Sequence, residues 1–461
     1  PPPPPPPPPP PTPPPPTPSK KIFLMIRRPP RSTLARPRRQ RQMCIRDRFR
    51  GTLATYQDRY RADPVSAFAA LQREGVLEII TTAATHAYLP LLRSEPAAAR
   101  AQLGVAADVY RETFGRPSPG VWLPECGYYP GLEEPVRAAG FGYFVLDAHG
   151  VLGAKPQPRQ GVHGAIACSN GVAVFGRDPD AAREVWDAQV GFPADAAYRE
   201  FHWDLNRELP RRTLAEIFPE SAGLMPTGIK YYRVTGQANG KALYEPALAN
   251  RRAEQHAGQF LRQRLQAARD RAIVACPPLL LAPYDAELFG HWWFEGPHWL
   301  EVLIRQLARA PRLELLTPGE YLERHGTPEQ AMPAASSWGE NGYNESWLNG
   351  TNSWIYPHLH QAVQDMRALV STHRQPPDDG LVLRGLRQAA RSLLLAEASD
   401  WAFILRTGAA EEYARGRIRD QLARFRFLRD GLRGARLEER RLRALEQMDN
   451  LFPGLDLRLF A

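Results

Sequence analysis

Residues 279–296 read LLLAPYDAELFGHWWFEG, and this stretch indicates the fold. Three leucines bounded by a proline are typical of a buried strand in a parallel sheet. Asp285 follows at the carboxyl end of this strand, where α/β barrels place catalytic groups because their loops converge on one mouth. Trp292, Trp293 and Phe294 come next, and flat rings beside a carboxyl group suit the apolar faces of pyranose rings. The stretch predicts a sugar site at a barrel mouth; the alternative is a strand running into a tryptophan-rich core helix.

A second acid follows another predicted strand. Residues 120–123 read as a strand that leads into WLPECGYYPG, residues 122–131, so Glu125 takes the same kind of position as Asp285. Glycoside cleavage requires two carboxyl groups, because one protonates the leaving oxygen while the other attacks the anomeric carbon or activates water. The structural alternative is that Glu125 caps the following helix and Asp285 forms a salt bridge.

Further strands alternate with helices along the chain. Strands are predicted at residues 77–80, 143–146, 172–175 and 313–316, and a helix at residues 253–272. This alternation indicates a parallel sheet, and the acids at strand ends favour a barrel. His86 and Arg177 also follow predicted strands. For His86 we weigh a structural group against a member of the mouth.

The pattern changes after about residue 326. Residues 336–354, SSWGENGYNESWLNGTNSW, are long and irregular, and loops of that length are usually functional. A seam between domains is the alternative. The remainder has helical periodicity, with one apolar stripe at Ile418, Leu422, Phe425 and Leu432. This predicts a helical bundle packed on the barrel.

Charge and cysteine usage exclude several function classes. The formal net charge of +10 is local, because residues 1–50 hold twelve Lys and Arg against one acid and the rest sums to about minus one. Hence no nucleic-acid partner is expected beyond residue 50. The four cysteines, Cys44, Cys126, Cys168 and Cys276, form no CxxC pair, which indicates neither a disulfide framework nor a zinc site. No apolar run approaches the roughly 20 residues that span a bilayer. We therefore expect a soluble, cytoplasmic protein without a membrane partner.

Residues 1–50 have a different character from the rest of the chain. A run of prolines passes into KKIFLMIRRPPRSTL and QRQMCIRDR, which show neither a helical or strand period nor the regions of a signal peptide. The second part resembles translated adapter sequence, so we interpret residues 1–50 as a low-complexity, non-native leader. The alternative is a polyproline II arm with a basic, nucleic-acid-binding patch.

Seven sequence blocks together resemble glycoside hydrolase family 57, and within it the α-1,4-glucan branching enzymes. The blocks occur in the family's order and cover most of residues 51–461. They are EIITTAATHAYLPLL, WLPECGYYPG, FGRDPDAAREVW, GIKYYRVTG, PYDAELFGHWWFEG, SSWGENGYNESWLN and ASDWAF. A run of matches is more specific than any single motif.

The resemblance implies an α/β fold: an incomplete seven-stranded (β/α) barrel at residues 51–330, followed by an all-helical carboxyl-terminal domain at residues 331–461 that contributes to the substrate site. It implies a retaining mechanism with Glu125 as nucleophile and Asp285 as proton donor. The family's first strand, with its His-x-His motif, and its second strand have no counterpart in residues 1–50. The implied contacts with α-glucan are made by His86, Arg177, Trp186, Ala194, Trp338, Trp347 and Asp400.

Two of the family's contact positions differ in this sequence. Ala194 stands where glycine is usual, and Ala409 stands where some members have glutamine. These differences concern fine substrate preference and leave the implied reaction unchanged. No cofactor and no metal are expected, and the sequence does not determine an oligomeric state.

Several functions are compatible with these residues. The leading expectation is a branching transferase, which makes α-1,6 branches in a glycogen-like polymer; a 4-α-glucanotransferase or an α-amylase is the alternative within the family. A metal-dependent polysaccharide deacetylase would instead use Asp147, His149 and His86 as ligands. A non-catalytic glucan-binding protein is the remaining alternative.

Overall fold

The computed structural model describes residues 49–187, 189–217, 227–236, 241–271, 277–326, 328–373, 380–434 and 436–461. The chain divides into two compact units, Pro1–Pro64 and Val65–Ala461. In the first unit, Thr55–Arg59 form a π-helical turn. Nearly all of the predicted leader lies outside the described residues, as do Cys44 and Cys276; Cys126 and Cys168 are buried free thiols.

A mixed sheet lies at the centre of the second unit. Its strand order is β1-β2-β3-β5-β4-β6. Neighbouring strands are parallel, except that β4 runs antiparallel to β5. Four adjacent strands, β1, β2, β3 and β5, therefore end at the same edge. The strands are β1 Thr81–Thr82, β2 Gly120–Trp122, β3 Tyr143–Leu146, β4 Ile166–Ala167, β5 Ala173–Gly176 and β6 Glu329–Gln330.

The register between β2 and β3 depends on a glycine. Gly120 pairs with Tyr143, and a Cβ atom at Gly120 would lie 2.5 Å from the Tyr143 ring. Such a distance is far inside van der Waals contact, so only glycine allows the two strands to pair here. Tyr143 in turn donates a hydrogen bond of 2.5 Å to Glu78.

Three of the six strand predictions are confirmed. The predicted strand at residues 143–146 is found as such, the one at 120–123 ends one residue earlier, and the one at 172–175 is displaced by one residue, to 173–176. Residues 77–80 lie just before β1, and residues 313–316 form neither helix nor strand, so these two predictions are wrong. Residues 279–281 belong to none of the described strands, so the prediction of a buried strand there is also wrong. Instead, Leu279 N and Leu281 O bond to His163 O and Asp178 N, both at 2.8 Å.

Helices surround the sheet and make up most of the chain after residue 350. The apolar stripe predicted for residues 418–432 is confirmed, since all four side chains are buried on one helix. In the described part of the chain the helices are α1 Pro64–Arg73, α2 Pro96–Phe114, α3 Glu133–Ala138, α4 Ala148–Leu152, α5 Pro179–Trp186, α6 Arg211–Ile217, α7 Pro246–Arg271, α8 Gly296–Leu307, α9 Pro318–His325, α10 Ile355–Thr372, α11 Leu381–Ala396, α12 Ser399–Thr407, α13 Glu411–Arg433 and α14 Glu439–Met448. None of them has the length and apolar character needed to cross a bilayer.

The sheet and the helical bundle share one hydrophobic core. Val121 of β2 and Phe144 of β3 belong to the same buried cluster as Leu393 of α11 and Phe425 of α13. A second cluster joins α5, α7 and α8 and contains the buried rings of two tryptophans. Burial of apolar surface in a shared core couples the bundle to the sheet, so the bundle can position side chains at the sheet's edge.

A buried carboxyl group lies where the bundle meets the segment after β1. Glu397, between α11 and α12, accepts a hydrogen bond of 2.7 Å from Gln102 of α2. Gln102 also bonds to the backbone nitrogen and the hydroxyl group of Thr85, and that hydroxyl donates to Leu394 O at 2.5 Å. The second carboxyl oxygen of Glu397 is buried without a hydrogen-bond partner among the described residues. Burial raises the pKa of Glu397 to about 8.

We expect replacement of Glu397 with glutamine to remove a loss of stability at alkaline pH. The folded chain holds the Glu397 proton up to about pH 8, whereas the unfolded chain releases it near the ordinary glutamate pKa. The free energy of unfolding should therefore be greatest below the unfolded pKa and should fall by roughly 3 kcal/mol between pH 5.5 and pH 8.5. Urea unfolding at pH 5.5 and pH 8.5 measures this difference in both proteins.

The matched control is Glu412→Gln, which changes an exposed glutamate on α13. It should keep the pH dependence of the unaltered chain. Identical slopes of unfolding free energy against pH for the unaltered chain and the Glu397 variant would show that Glu397 is ionised when folded.

Candidate active site

The polar side chains predicted at the mouth follow four neighbouring parallel strands. His86 comes four residues after β1, Glu125 three residues after β2, Asp147 directly after β3 and Arg177 directly after β5. Because these strands run in the same direction, their carboxyl ends meet at one edge of the sheet. The extended residues 279–281 lie next to the end of β5 and lead to Asp285. The sequence-predicted acids therefore approach the same edge.

Glu125 is held in an unusual backbone conformation. It lies in a turn, Pro124–Cys126, with φ 61° and ψ 23°, and Cys126 has φ 51°. The left-handed region is unfavourable for residues with side chains, and such strain persists where surrounding contacts enforce it. Trp338 supplies those contacts, since its backbone nitrogen bonds to Glu125 O at 2.9 Å and its indole Nε1 donates to Glu125 Oε2 at 2.6 Å. Both ends of Glu125 are thus fixed by one residue of the 336–354 loop.

His86 faces the other carboxyl oxygen of Glu125. The distance from His86 Nε2 to Glu125 Oε1 is 3.5 Å, and His86 Nδ1 lies 3.2 Å from Thr82 Oγ1. The Thr82 hydroxyl donates its only proton to Trp122 O at 2.9 Å, so it accepts from His86 Nδ1. With Nδ1 carrying a proton, Nε2 donates to Glu125 only when the ring is protonated. The sequence signal for Thr82 was its spacing of four residues from His86.

The segment that carries His86 is joined to the helical bundle. His86 has φ 55°, and its carbonyl accepts from Ser399 N at 3.1 Å. Ala87 and Ala398 form a β-bridge beside this bond. Asp400 follows at once, exposed in the first turn of α12. The bundle therefore reaches the edge of the sheet at the point where Asp400 was predicted to contact substrate.

Asp285 lies half-buried before a short helical turn, Ala286–Leu288. The pKa of Asp285 is raised, first by burial and then by the negative charges of Glu125 and Glu287. The positive charges of His86 and Arg177 oppose this shift. Asp285 therefore holds a proton to higher pH than an ordinary aspartate, and one carboxylate close to it is Glu125. A carboxyl group that keeps its proton beside a carboxylate can act as the acid of a two-carboxyl mechanism.

Arg177 connects the mouth to the loop of residues 336–354. Its guanidinium lies 3.3 Å from Asp147 Oδ2 and 5.5 Å from the centre of the Trp338 ring. Trp122 meets the same ring edge-on, with ring centres 5.0 Å apart. The buried Nε of Arg177 has no hydrogen-bond partner among the described residues, while the side chain as a whole is 20% exposed.

Trp347 is placed differently from Trp338. Its ring is only 1% exposed and stacks on Tyr88 at 4.1 Å, and a Cβ atom at Gly339 would lie 2.4 Å from it. Tyr88 donates to Asn344 at 2.8 Å. The ring therefore supports the loop from within the core. The sequence predicted either a functional loop or a seam between domains at residues 336–354. The loop is both, because it contacts Glu125 and also joins the sheet to the bundle.

The remaining predicted contacts lie along the 175–194 segment. Trp186 ends α5 half-buried, packed on the second core cluster, and its buried Nε1 has no hydrogen-bond partner among the described residues. Ala194 ends a short turn, Phe192–Ala194, and is half-buried. Neither is joined by a described hydrogen bond to Glu125 or Asp285, and their role as substrate contacts stays a prediction.

The aromatic cluster after Asp285 divides into two parts. Trp293 is 1% exposed within the second core cluster, so the expectation of a sugar-facing ring is wrong for it. Trp292 is 42% exposed. The side chains of adjacent residues in a tight turn point in different directions, and the sequence pattern did not predict which of the two tryptophans is buried.

The alternative metal site has no support from these side chains. In the part of the chain that the structure describes, no group of three His, Cys, Asp or Glu residues could hold a metal ion. His149 Nε2 lies 2.8 Å from Gly342 O and therefore carries a proton, while Nδ1 lies 3.8 Å from Asp147. His86 is directed at Glu125 instead.

The chain is similar to known proteins over most of its length. The sequence model described as Glycosyl hydrolase family 57 matches residues 39–334, and the one described as 1,4-alpha-glucan branching enzyme, C-terminal, matches residues 358–460. A 1,4-alpha-glucan branching enzyme of Thermococcus kodakarensis is 33% identical over 86% of this chain. The chain spans 61% of the length of that relative.

Two crystal structures resemble the fold closely. The alpha-amylase AmyC from Thermotoga maritima is 36% identical with a TM-score of 0.83, over 90% of this chain and 79% of its own. A family 57-type branching enzyme from Pyrococcus horikoshii is 33% identical with a TM-score of 0.79, over 89% and 76%. The mixed sheet with a helical carboxyl-terminal region is therefore the fold expected from the resemblance.

Proposed function

The chain belongs to glycosyl hydrolase family 57, and we propose that within this family it is a 1,4-α-glucan branching enzyme. It would cleave an α-1,4-glucan and transfer the chain to a 6-hydroxyl group of another glucan. The observation that carries the proposal is the pair of acids, with Glu125 held by Trp338 and Asp285 protonated to higher pH beside it. The match of residues 358–460 to the carboxyl-terminal region of branching enzymes supports transfer to a second chain.

The proposed reaction is a double displacement. The Glu125 carboxylate attacks the anomeric carbon while Asp285 donates its proton to the departing 4-oxygen, which leaves a glycosyl ester on Glu125. Asp285, now ionised, removes the proton of the incoming 6-hydroxyl, whose oxygen displaces Glu125. Two inversions retain the α configuration, and both acids end in their starting states.

The other site residues would bind and orient the glucan. His86 borders Glu125, and the partly exposed guanidinium of Arg177 can donate to a sugar hydroxyl. Trp338 and Trp122 line the same edge with aromatic rings, which exclude water and so favour a sugar acceptor. Trp186, Ala194 and Asp400 complete the proposed substrate contacts, while the buried Trp347 would support the loop beneath them.

An α-amylase of the same family is the second candidate. The similarity to the Thermotoga maritima enzyme, at 36% identity, favours it. It would use the same two acids, with water instead of a sugar hydroxyl in the second step, and a 4-α-glucanotransferase would use a 4-hydroxyl.

We further propose a cytoplasmic protein that acts on a glycogen-like polymer, without a nucleic-acid or membrane partner.

Linkage analysis of the product tests the function. The full chain is incubated with amylose, and the product is examined by iodine staining, by reducing-end release and by proton NMR of α-1,6 linkages. Branching predicts a loss of staining, new α-1,6 linkages and few new reducing ends. A loss of staining with many reducing ends and no α-1,6 linkages would replace branching with α-amylase activity.

We expect Trp338→Phe to lower kcat by about tenfold or more. Phenylalanine keeps an aromatic ring beside Arg177 and Trp122 but cannot donate to Glu125, and a hydrogen bond to a charged group is worth about 1.5–3 kcal/mol. The loss should appear in kcat on amylose, because the bond orients the nucleophile.

Trp203→Phe is the matched control for this change. Trp203 Nε1 donates to Glu208 at 3.1 Å, so the control removes a similar indole–carboxylate bond on another loop. It should keep kcat within about twofold. Equal kcat values for the two variants would show that the Trp338 bond does not orient the nucleophile.

A further inference from the structure

An exposed indole lies close to Asp285, outside the contacts proposed above. Trp292 is 42% exposed, although the next residue and Trp299 are buried in the core. Exposed tryptophan rings that are held rigid are unusual, because apolar surface of that size is normally buried. Because Trp292 lies only seven residues after Asp285, it is a candidate contact for a ligand at this site.

The Trp292 ring is held by a hydrogen bond at its edge and by a contact with another ring. Its Nε1 donates to Glu287 Oε1 at 3.1 Å, and its backbone nitrogen bonds to Glu287 O at 3.2 Å. Phe201 packs against it, with ring centres 4.2 Å apart and planes at 32°. Lys230 lies over Phe201, with Nζ 3.8 Å from the ring centre. With 42% of Trp292 exposed, the held indole is a preorganised platform, which costs little conformational entropy on binding.

Polar groups surround the platform. The imidazoles of His202 and His291 meet Phe201 and Trp292 edge-on, with ring centres 5.1–6.4 Å apart. Both histidines are exposed and can donate or accept hydrogen bonds. A flat apolar ring with polar groups at its rim is complementary to a pyranose, which has apolar C–H faces and equatorial hydroxyl groups. One indole buries at most about 250 Å², far below the roughly 1,200 Å² of a stable protein interface.

Glu287 links this platform to the proposed acid. It is two residues after Asp285, and its charge is a cause of the raised Asp285 pKa. Because the acid protonates the departing oxygen and later activates the incoming hydroxyl, the sugar units on its side belong to the leaving or accepting chain. A platform anchored on Glu287 is thus placed along that chain, beyond the sugar that Glu125 attacks.

We propose that Trp292, stacked on Phe201, is an outer subsite for the α-1,4-glucan chain on the Asp285 side of the mouth. This inference rests on the proposed function in so far as the ligand is an α-glucan. Trp292 would make the affinity depend on the length of the glucan, because only oligosaccharides long enough to extend past the mouth reach the ring.

Binding is measured with Glu125→Gln as the parent, so that the oligosaccharide is not consumed. The full chain is titrated calorimetrically with maltose and with maltoheptaose, with and without Trp292→Ala. We expect Trp292→Ala to raise the Kd for maltoheptaose about tenfold and to change the Kd for maltose much less. Tyr413→Ala, which removes an exposed ring from α13, is the control and should leave both Kd values unchanged. Equal weakening for the two ligands, or none, would overturn the proposal.

A second measurement needs no change at Trp292. Hydroxyl-radical oxidation of the Glu125→Gln chain, read by mass spectrometry, should label Trp292 freely and be suppressed by maltoheptaose. Undiminished labelling at saturating maltoheptaose would also overturn the subsite. If maltoheptaose protects Trp292 but the unaltered chain forms no α-1,6 linkages, the proposed branching function is wrong and the proposed subsite stands. Failure of one proposal can therefore be distinguished from failure of the other.

Discussion

Glu125→Gln is expected to abolish turnover on every α-glucan, with a loss of at least about 10⁴-fold. An amide oxygen cannot attack the anomeric carbon and form a glycosyl ester, so neither cleavage nor transfer can begin. Glutamine has the same shape, and its side-chain oxygen can still accept from Trp338 Nε1, so the turn around residue 125 should be preserved. Reducing-end release and α-1,6 linkage formation measure the loss, and circular dichroism establishes that the variant is folded.

The matched control is Glu134→Gln, which alters an exposed glutamate on α3, nine residues further along the chain. Its activity should equal that of the unaltered chain. Azide provides a sharper check on the assignment. If azide restored activity to the Glu125 variant and gave a product of inverted configuration at the anomeric carbon, this would be consistent with Glu125 as the nucleophile in a retaining enzyme. If the Glu125 variant retained substantial turnover without azide, the nucleophile would lie elsewhere.

Asp285→Asn is expected to separate the two halves of the reaction. Cleavage of amylose should fall by about 10²–10⁴-fold, because the departing sugar oxygen leaves poorly without a proton. An aryl glucoside with an acidic leaving group needs no proton and should still glycosylate Glu125. Added azide, which needs no general base, should then release the glycosyl group with retained configuration. Burst kinetics with the aryl glucoside, with and without azide, measure both effects.

The pH dependence of amylose cleavage tests the same assignment. Asp285 must be protonated to act, and its pKa is raised by burial and by the charge of Glu125. Activity should therefore persist to higher pH than an ordinary aspartate would allow and fall as the pH rises through the raised value. The residual activity of Asp285→Asn should lack this alkaline decline. An unchanged alkaline limb in the variant would assign the proton donor to another group.

The two acids also carry a geometric prediction. In a retaining enzyme the carboxyl groups lie about 5–5.5 Å apart, and a separation beyond about 6.5 Å with an intervening water indicates inversion. We expect the shorter separation for Glu125 and Asp285 in a crystal structure with bound maltooligosaccharide. The strained turn at Glu125 supports a fixed position for the nucleophile during both steps.

Local signals in the sequence were sufficient for much of the fold and for both acids. Short apolar runs predicted β2, β3 and β5, and Glu125, Asp147 and Arg177 follow these strands within three residues. The 3.6-residue stripe of α13 was equally clear. Such signals depend on neighbours within a few residues, which is why they can be read without the fold.

The contacts that organise the site were decided only by the tertiary structure. Trp338 lies 213 residues from Glu125 in the chain, yet it fixes both its backbone and its carboxylate. Ser399 bonds to His86 over a still longer separation in the chain, and β4 pairs antiparallel to β5. Consecutive tryptophans divide between the core and the surface, with Trp293 buried and Trp292 exposed. Local propensity does not encode these outcomes, because each depends on how distant segments pack when the sheet and the helical bundle close around one hydrophobic core.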